Sequence, residues 1–188
     1  MIKVYLASSW RNTRYPSVLT TLSQLSDQHG RPLLAVYDFR NPIAGNDGFH
    51  WSEIDGGWKS WTPEQYRAAL DHPMAQTGFN FDMTALLSCD VCVLVMPCGR
   101  SAFLELGYAV GAGKPTLILW EEPHEPELMV KMCDGIAVNQ EELNEALLLL
   151  QDESLMVRPP YRTIRALDAH AAKKMLALHF ASKKAPRG

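Results

Sequence analysis

The stretch Val91–Leu119, VCVLVMPCGRSAFLELGYAVGAGKPTLIL, restricts the fold more than any other part of the chain. Val91 to Met96 is a short apolar run rich in β-branched residues, the pattern of a strand buried on both faces of a parallel sheet. Pro97-Cys98-Gly99-Arg100 breaks the run, and Ser101 is placed to cap a helix reaching about Gly111. Gly113-Lys114-Pro115 ends that helix, and Thr116 to Trp120 reads as a second buried strand. Two parallel strands joined by a helix belong to an α/β sheet. Glu105 stands out inside the apolar run Ala102–Val110, because a carboxylate in a buried helix is costly unless it is paired or used.

The other strands and helices follow the same alternation. Ile2 to Ala7 is the first strand, Ser8-Ser9-Trp10-Arg11-Asn12 its turn, and a helix is expected from Tyr15 to His29. Pro32 to Tyr37 is the second strand. Thr62-Pro63-Glu64-Gln65 is a strong helix start, with Thr as cap and Gln three residues on. That helix ends near His72-Pro73, and a further helix from Gly78 or Asn80 to Ser88 carries Asp82. A short helix over Pro126–Met132, a last strand Gly135–Val138 and a helix Gln140–Leu150 complete the pattern. Five strands alternating with helices predict a doubly wound parallel sheet with helices on both faces. The expected organisation is an α/β domain over residues 1–154, an aromatic loop insertion over 39–61, and a basic C-terminal tail over 155–188, helical around Leu167–Phe180.

Charge is divided unevenly. The net charge of −3 combines a tail with eight basic residues and one acidic residue with a body that is near −10. Such a tail either binds an acidic partner or docks on the acidic body. It carries no nucleic-acid-binding motif, so nucleic acid is not the expected partner. Cys89 and Cys92 have C-x-x-C spacing, but no second pair or histidine cluster accompanies them, so they read as reduced core thiols. No apolar run approaches bilayer length and the N-terminal stretch lacks a signal-peptide pattern, so a cytoplasmic protein with no membrane association is expected. No metal and no cofactor are expected, since metal-ligand clusters, G-x-G-x-x-G and P-loop signatures are all missing from the sequence.

The chemistry then turns on a few residues. In an open α/β sheet, the loops after the strands line the ligand crevice. The loop Ser8–Asn12 offers hydroxyls, an Arg fork and an amide suited to a phosphate or sugar. Phe49, His50, Trp51, Trp58 and Trp61 cluster in the irregular stretch, where aromatic faces suit a nucleobase. The alternative is a loop that tucks its tryptophans over a core or interface. Glu105 lies one turn into its helix, near the positive end of the helix dipole. A carboxylate held over a sugar can attack the anomeric carbon while a second carboxyl group protonates the leaving group. Asp82 is the candidate for that second group.

In the first strand and over Cys89–Leu119, above all in GRSAFLELGYAVGAGKP, the sequence resembles the nucleoside 2-deoxyribosyltransferase family, including its 2′-deoxynucleoside 5′-monophosphate N-glycosidase branch. The resemblance implies a flavodoxin-like sheet, a homodimer or higher homo-oligomer, and a small nucleoside or nucleotide substrate. It implies transfer of the glycosyl group to another base or to water, with Glu105 as nucleophile and Asp82 as acid. The monophosphate branch implies phosphate held by Ser8, Arg11, Gly99 and Ser101. Where family transferases carry an Asp, this chain has Cys98-Gly99-Arg100-Ser101, and Arg100 suits an anion better. The loop Ser8–Asn12 also looks somewhat like the start of TIR-like domains, which implies NAD cleavage as an alternative; a non-catalytic nucleotide-binding module is another.

Overall fold

The computed structural model describes residues 1–43, 47–150, 156–157, 166–167 and 169–183. The chain divides into two compact units, Met1–Val36 with Cys89–Gly188, and Tyr37–Ser88. The second takes in the 39–61 stretch and the helices that follow it.

The first unit is built on five strands: β1 (Ile2–Ala7), β2 (Leu34–Tyr37), β3 (Val91–Val95), β4 (Thr116–Leu119) and β5 (Gly135–Ala137). Their order is β2-β1-β3-β4-β5, the flavodoxin-like arrangement, and the sheet is parallel. β3 is the central strand and every one of its residues is buried, which is why its sequence is apolar without alternation. Val4 pairs with Val91, Cys92 with Thr116 and Leu117 with Gly135. Side-chain acids start two of the strands: Asp90 Oδ2 accepts from Lys3 N at 2.8 Å, and Asp134 Oδ2 accepts from Thr116 N at 2.8 Å. Cys89 and Cys92 are free and buried, and burial pushes both thiols up.

Helix α1 (Tyr15–Gln24) turns Tyr15, Val18 and Leu22 inward. It is shorter than the sequence pattern predicts. Leu25 is extended, Ser26 bridges to Pro32, and the Asp27 side chain accepts from His29 N and Arg31 N, with Gly30 at φ 74°. The side-chain acceptor offers this stretch a turn in place of another helical turn. For the same reason β2 starts at Leu34 and not at Pro32. Helix α4 (Arg100–Gly111) packs on β1, β3 and β4. Right-handed crossovers in opposite directions from the middle of the sheet place α1 and α4 on opposite faces.

Helix α5 (Gln140–Leu149) packs on β4 and β5, capped by Asn139, whose Oδ1 accepts from Glu142 N at 2.8 Å. The expected helix before β5 is a 3₁₀ turn, Leu128–Met132. Beyond α5, strands β6 (Met156–Val157) and β7 (Ala166–Leu167) form an antiparallel pair, and helix α6 (Ala169–Lys183) packs on α5 and β5. The Phe180 ring occupies the place a side chain at Gly135 would take. Lys173 Nζ lies 3.4 Å from Asp134 Oδ1, so this part of the basic tail meets the acidic body of its own chain. Residues 155, 158–165, 168 and 184–188 of the expected tail lie outside the described residues.

In the second unit, α2 (Pro63–Ala69) starts as its sequence predicts, with a capping box between Thr62 and Gln65. Helix α3 (Pro73–Ser88) begins earlier than expected and runs through Gly78. The glycine is required there by close approach, since a Cβ would lie 2.4 Å from Phe49 Cβ. Among the described residues, no helix is long and apolar enough to cross a membrane.

The ends of β1 and β3 are tied by one buried side chain. Asn12, 1% exposed, donates through Nδ2 to Ser8 Oγ at 2.9 Å and Val95 O at 3.2 Å, and accepts from Arg14 N at 2.8 Å. Asn12→Ala removes three hydrogen bonds and leaves Arg14 N without its side-chain acceptor, and a loss of about 2–3 kcal/mol is expected. A thermal melt should fall by roughly 4–10 °C; an unchanged midpoint would show that the tie is dispensable.

Candidate functional site

In a sheet of this order the chain reverses direction between β1 and β3, and a crevice opens there beyond the strands' carboxyl ends. Two loops meet at that point in the first unit. A side chain on Gly99 would sit 4.0 Å from Ser9 Oγ, so the β1–α1 and β3–α4 loops are neighbours. Ser8 donates through Oγ to Val95 O at 2.9 Å, which makes it part of the scaffold as well as a crevice residue. Arg11 and Arg100 are exposed. Helix α4 starts at Arg100 with Gly99 as its N-cap and no side-chain cap. The expected cap, Ser101, is instead an exposed residue of the first turn. Gly99 is extended at φ −92°, ψ 175°, and takes the cap position itself. Uncapped first-turn N–H groups and the helix dipole favour an anion.

Glu105 is half-buried and not enclosed. Helix α4 is less apolar in its surroundings than its sequence implies: Leu104 is 77% exposed and Tyr108 41%, while Ala102, Leu106 and Ala109 are buried. Glu105 lies at the border of these faces. Burial first and the Glu105 carboxylate second push the Cys98 thiol up to about 11. Glu105 contributes in the same direction at Cys92. Its charge is therefore directed toward β3 and the loop that follows it.

Sequence reasoning singled out neither of two further features at this end of the sheet. Arg14 and Glu121 form a two-point ion pair, with Nε and Nη2 at 2.9 and 2.7 Å from Oε2 and Oε1. It joins the start of α1 to the loop after β4. The Trp120 and His124 rings lie 5.9 Å apart just beyond β4. Their signal was positional, since both follow a strand's carboxyl end.

The second unit holds a cavity of about 260 Å³. Phe39, Phe49 and Phe81 supply aromatic walls, and Asp82, Glu53 and Thr77 supply polar ones. Its size falls just below the roughly 300–1,000 Å³ of common small-molecule sites, so it suits one ring system. Asp82 Oδ1 accepts from Tyr37 Oη at 2.8 Å. Burial raises the Asp82 carboxyl to about 6, against the opposing effect of the Tyr37 bond. Asp82 thus retains a proton into a range where ordinary carboxyls have lost theirs.

Trp51 and Trp58 do not appear among the described residues that line this cavity. Trp51 is the hub of a ring cluster, with edge contacts to Phe49 at 4.9 Å, Trp61 at 5.7 Å and Tyr66 at 5.6 Å. Trp58 packs against His50 at 5.5 Å. Asp55 fixes the loop by accepting from Trp61 Nε1 at 2.6 Å and Gly57 N at 2.8 Å. The tryptophans therefore build the loop, and Phe49, backed by Trp51, reaches the cavity. Phe81 was legible as the neighbour of Asp82, whereas Tyr37, Phe39 and Glu53 had no local motif.

A parallel α/β sheet of flavodoxin-like order, with a carboxylate one turn inside the helix at its switch point, places the chain in a broad fold class. Among solved structures it is similar to a conserved protein from Enterococcus faecalis V583, with TM-score 0.51 and 16% identity over 79% of this chain and 98% of that one. It is also similar to the CMP N-glycosidase BcmB of Clostridium botulinum, with TM-score 0.44 and 15% identity over 78% of this chain and 98% of that one. No protein-family model and no curated protein sequence matches the chain. The Enterococcus likeness is one of fold. Among the described residues, no group of three or more His, Cys, Asp or Glu side chains is placed to hold a metal ion.

The Asp82 environment has a pH signature. The folded chain binds this proton more tightly than the unfolded chain, so stability falls as pH rises from the ordinary 3.8 through about 6. Asp82→Asn keeps an acceptor for Tyr37 and removes the ionisation. It should gain stability relative to the parent between pH 4 and pH 7, on the order of 2–3 kcal/mol. Urea melts at the two pH values measure this, and a pH-independent difference contradicts it. Tyr37→Phe removes the bond that favours the ionised form, so the Asp82 titration followed by NMR should move further up.

Proposed function

We propose that the protein cleaves the N-glycosidic bond of a 2′-deoxynucleoside or nucleoside 5′-monophosphate and passes the glycosyl group to water or to another base. The observation that carries this reading is Asp82, a carboxyl group held protonated up to about pH 6 in the wall of an aromatic cavity. A leaving base needs a ring face to rest on and a proton to depart with. The resemblance of GRSAFLELGYAVGAGKP to nucleoside 2-deoxyribosyltransferases adds the nucleophile.

In this mechanism Glu105 attacks the anomeric carbon through a carboxylate oxygen. The bond to the base nitrogen breaks and its electron pair goes to the base. Asp82 delivers its proton to that base, leaving a glycosyl ester on Glu105. Water or a second base, deprotonated by the Asp82 carboxylate, then attacks the same carbon and frees Glu105. Arg11, Arg100 and Ser101, with the backbone at Gly99 and the scaffold hydroxyl of Ser8, hold the sugar or its phosphate. The exposed guanidiniums and uncapped helix start support that assignment. Trp51 acts through Phe49, and Trp58 through the loop that carries both.

The test is incubation with deoxynucleosides, deoxynucleoside monophosphates and NAD in separate reactions, with and without acceptor bases, followed by chromatography of free base. Base release or exchange is expected from at least one deoxynucleoside class. Glu105→Gln should abolish it, and Asp82→Asn should lower kcat by about 10²–10⁴-fold. Activity should decline as pH rises above about 6, because the acid must keep its proton. Release of nicotinamide from NAD alone favours the TIR-like alternative. No turnover of any of these sinks the enzyme reading.

A further inference from the structure

The cavity of the second unit has a one-sided hydrogen-bonding character. Thr77 Oγ1 donates to Pro73 O at 2.9 Å, which leaves its lone pairs for a ligand. Glu53 Oε1 accepts from His50 N at 2.6 Å, and its other oxygen remains an acceptor. Asp82 Oδ1 accepts from Tyr37 Oη at 2.8 Å, and its protonated form offers one O–H. Among the described residues that line the cavity, none is Lys, Arg or His. An anionic group such as a phosphate is therefore disfavoured here. The polar complement is a ligand edge with one acceptor, for Asp82, beside a donor, for Glu53 or Thr77.

We infer that this cavity is a specificity site for an amino-bearing nucleobase, with Glu53 as the residue that distinguishes an amino base from its oxo counterpart. Cytosine and adenine both present a ring nitrogen next to an exocyclic amine. The nitrogen meets the Asp82 O–H and the amine meets the Glu53 carboxylate, while Phe39, Phe49 and Phe81 supply the ring faces. Uracil and hypoxanthine reverse the edge. Their carbonyl oxygen would face the Glu53 carboxylate, acceptor against acceptor, and their ring N–H would face the Asp82 O–H. The inference rests on the glycosidase reading for its biological sense, since a proton from Asp82 to that ring nitrogen also helps the base depart. Base selection itself depends only on the cavity.

Calorimetric titration of the full-length protein at pH 5.5 with cytosine, uracil, adenine and hypoxanthine tests it. Each amino base should bind about 10- to 100-fold tighter than its oxo counterpart. Glu53→Gln keeps an acceptor for His50 N and replaces the free acceptor with an N–H donor, so the preference should shrink or reverse. Glu53→Ala should lose the preference while retaining its melting transition. Equal binding within each pair, no binding of any base, or a preference intact in both variants overturns the inference. Binding is read without turnover, so the two readings fail separately: selective base binding without base release sinks only the glycosidase, and base release without selectivity sinks only this site.

Discussion

The Asn12 carboxamide is the contact on which the candidate crevice depends. One buried amide satisfies the carbonyl at the end of β3, the hydroxyl at the end of β1 and the first free N–H before α1. Without it, Arg14 N would lose its side-chain acceptor, and the Ser8–Val95 bond alone would join β1 to β3 at this point. The loops of both strands are therefore held together before any ligand is considered. Ser8 is committed to the same network, which changes its meaning: a residue chosen for its exposed hydroxyl is first a structural one. Arg14 extends the fixation to the loop after β4 through Glu121, at the surface, where such a pair contributes modestly to stability but sets geometry.

Asp82 illustrates how two opposing effects set a proton. Burial disfavours the charged carboxylate, and the Tyr37 hydroxyl favours it by donating to Oδ1. Burial is the larger effect, so the group rests near 6 and not in the usual acid range. A fully dry carboxyl would hold its proton too tightly to release it, and a solvated one would have none to give near neutrality. The tyrosine keeps the group between those limits. Its own place, the last residue of β2, is fixed by backbone and not by the site.

The fold was legible because β3 and β4 are short, apolar and β-branched, and because Gly and Pro mark the helix ends around them. The start of α2 was legible for the same local reason, the Thr62–Gln65 box. What local pattern could not show was competition from tertiary contacts. Helix α3 continues through Gly78 because Phe49 presses on it, and α1 stops at Gln24 because Asp27 builds a turn. Glu105 was singled out as a carboxyl in an apolar helix, and Asp82 as the candidate acid on the helix before β3. Tyr37 and Glu53 were not, since their importance comes from neighbours distant in the chain or from a cavity that no motif announces. The tryptophans were conspicuous by composition, yet the geometry gives the cavity to phenylalanines, with Trp51 behind one of them.

Glu105 changes most in its physical meaning. Its sequence context suggested a costly charge sealed in an apolar helix. In the structure α4 buries Ala102, Leu106 and Ala109 and presents Leu104 and Tyr108 outward, and Glu105 sits between the two faces. Partial exposure lowers the desolvation cost of the group. Its position matters more: the residue lies one turn inside the helix at the switch point and adds to the upward push that burial gives the Cys92 and Cys98 thiols. The proposed nucleophilic role requires that a substrate can reach this carboxylate, and a half-buried side chain at the margin of α4 meets that requirement where a sealed one would not.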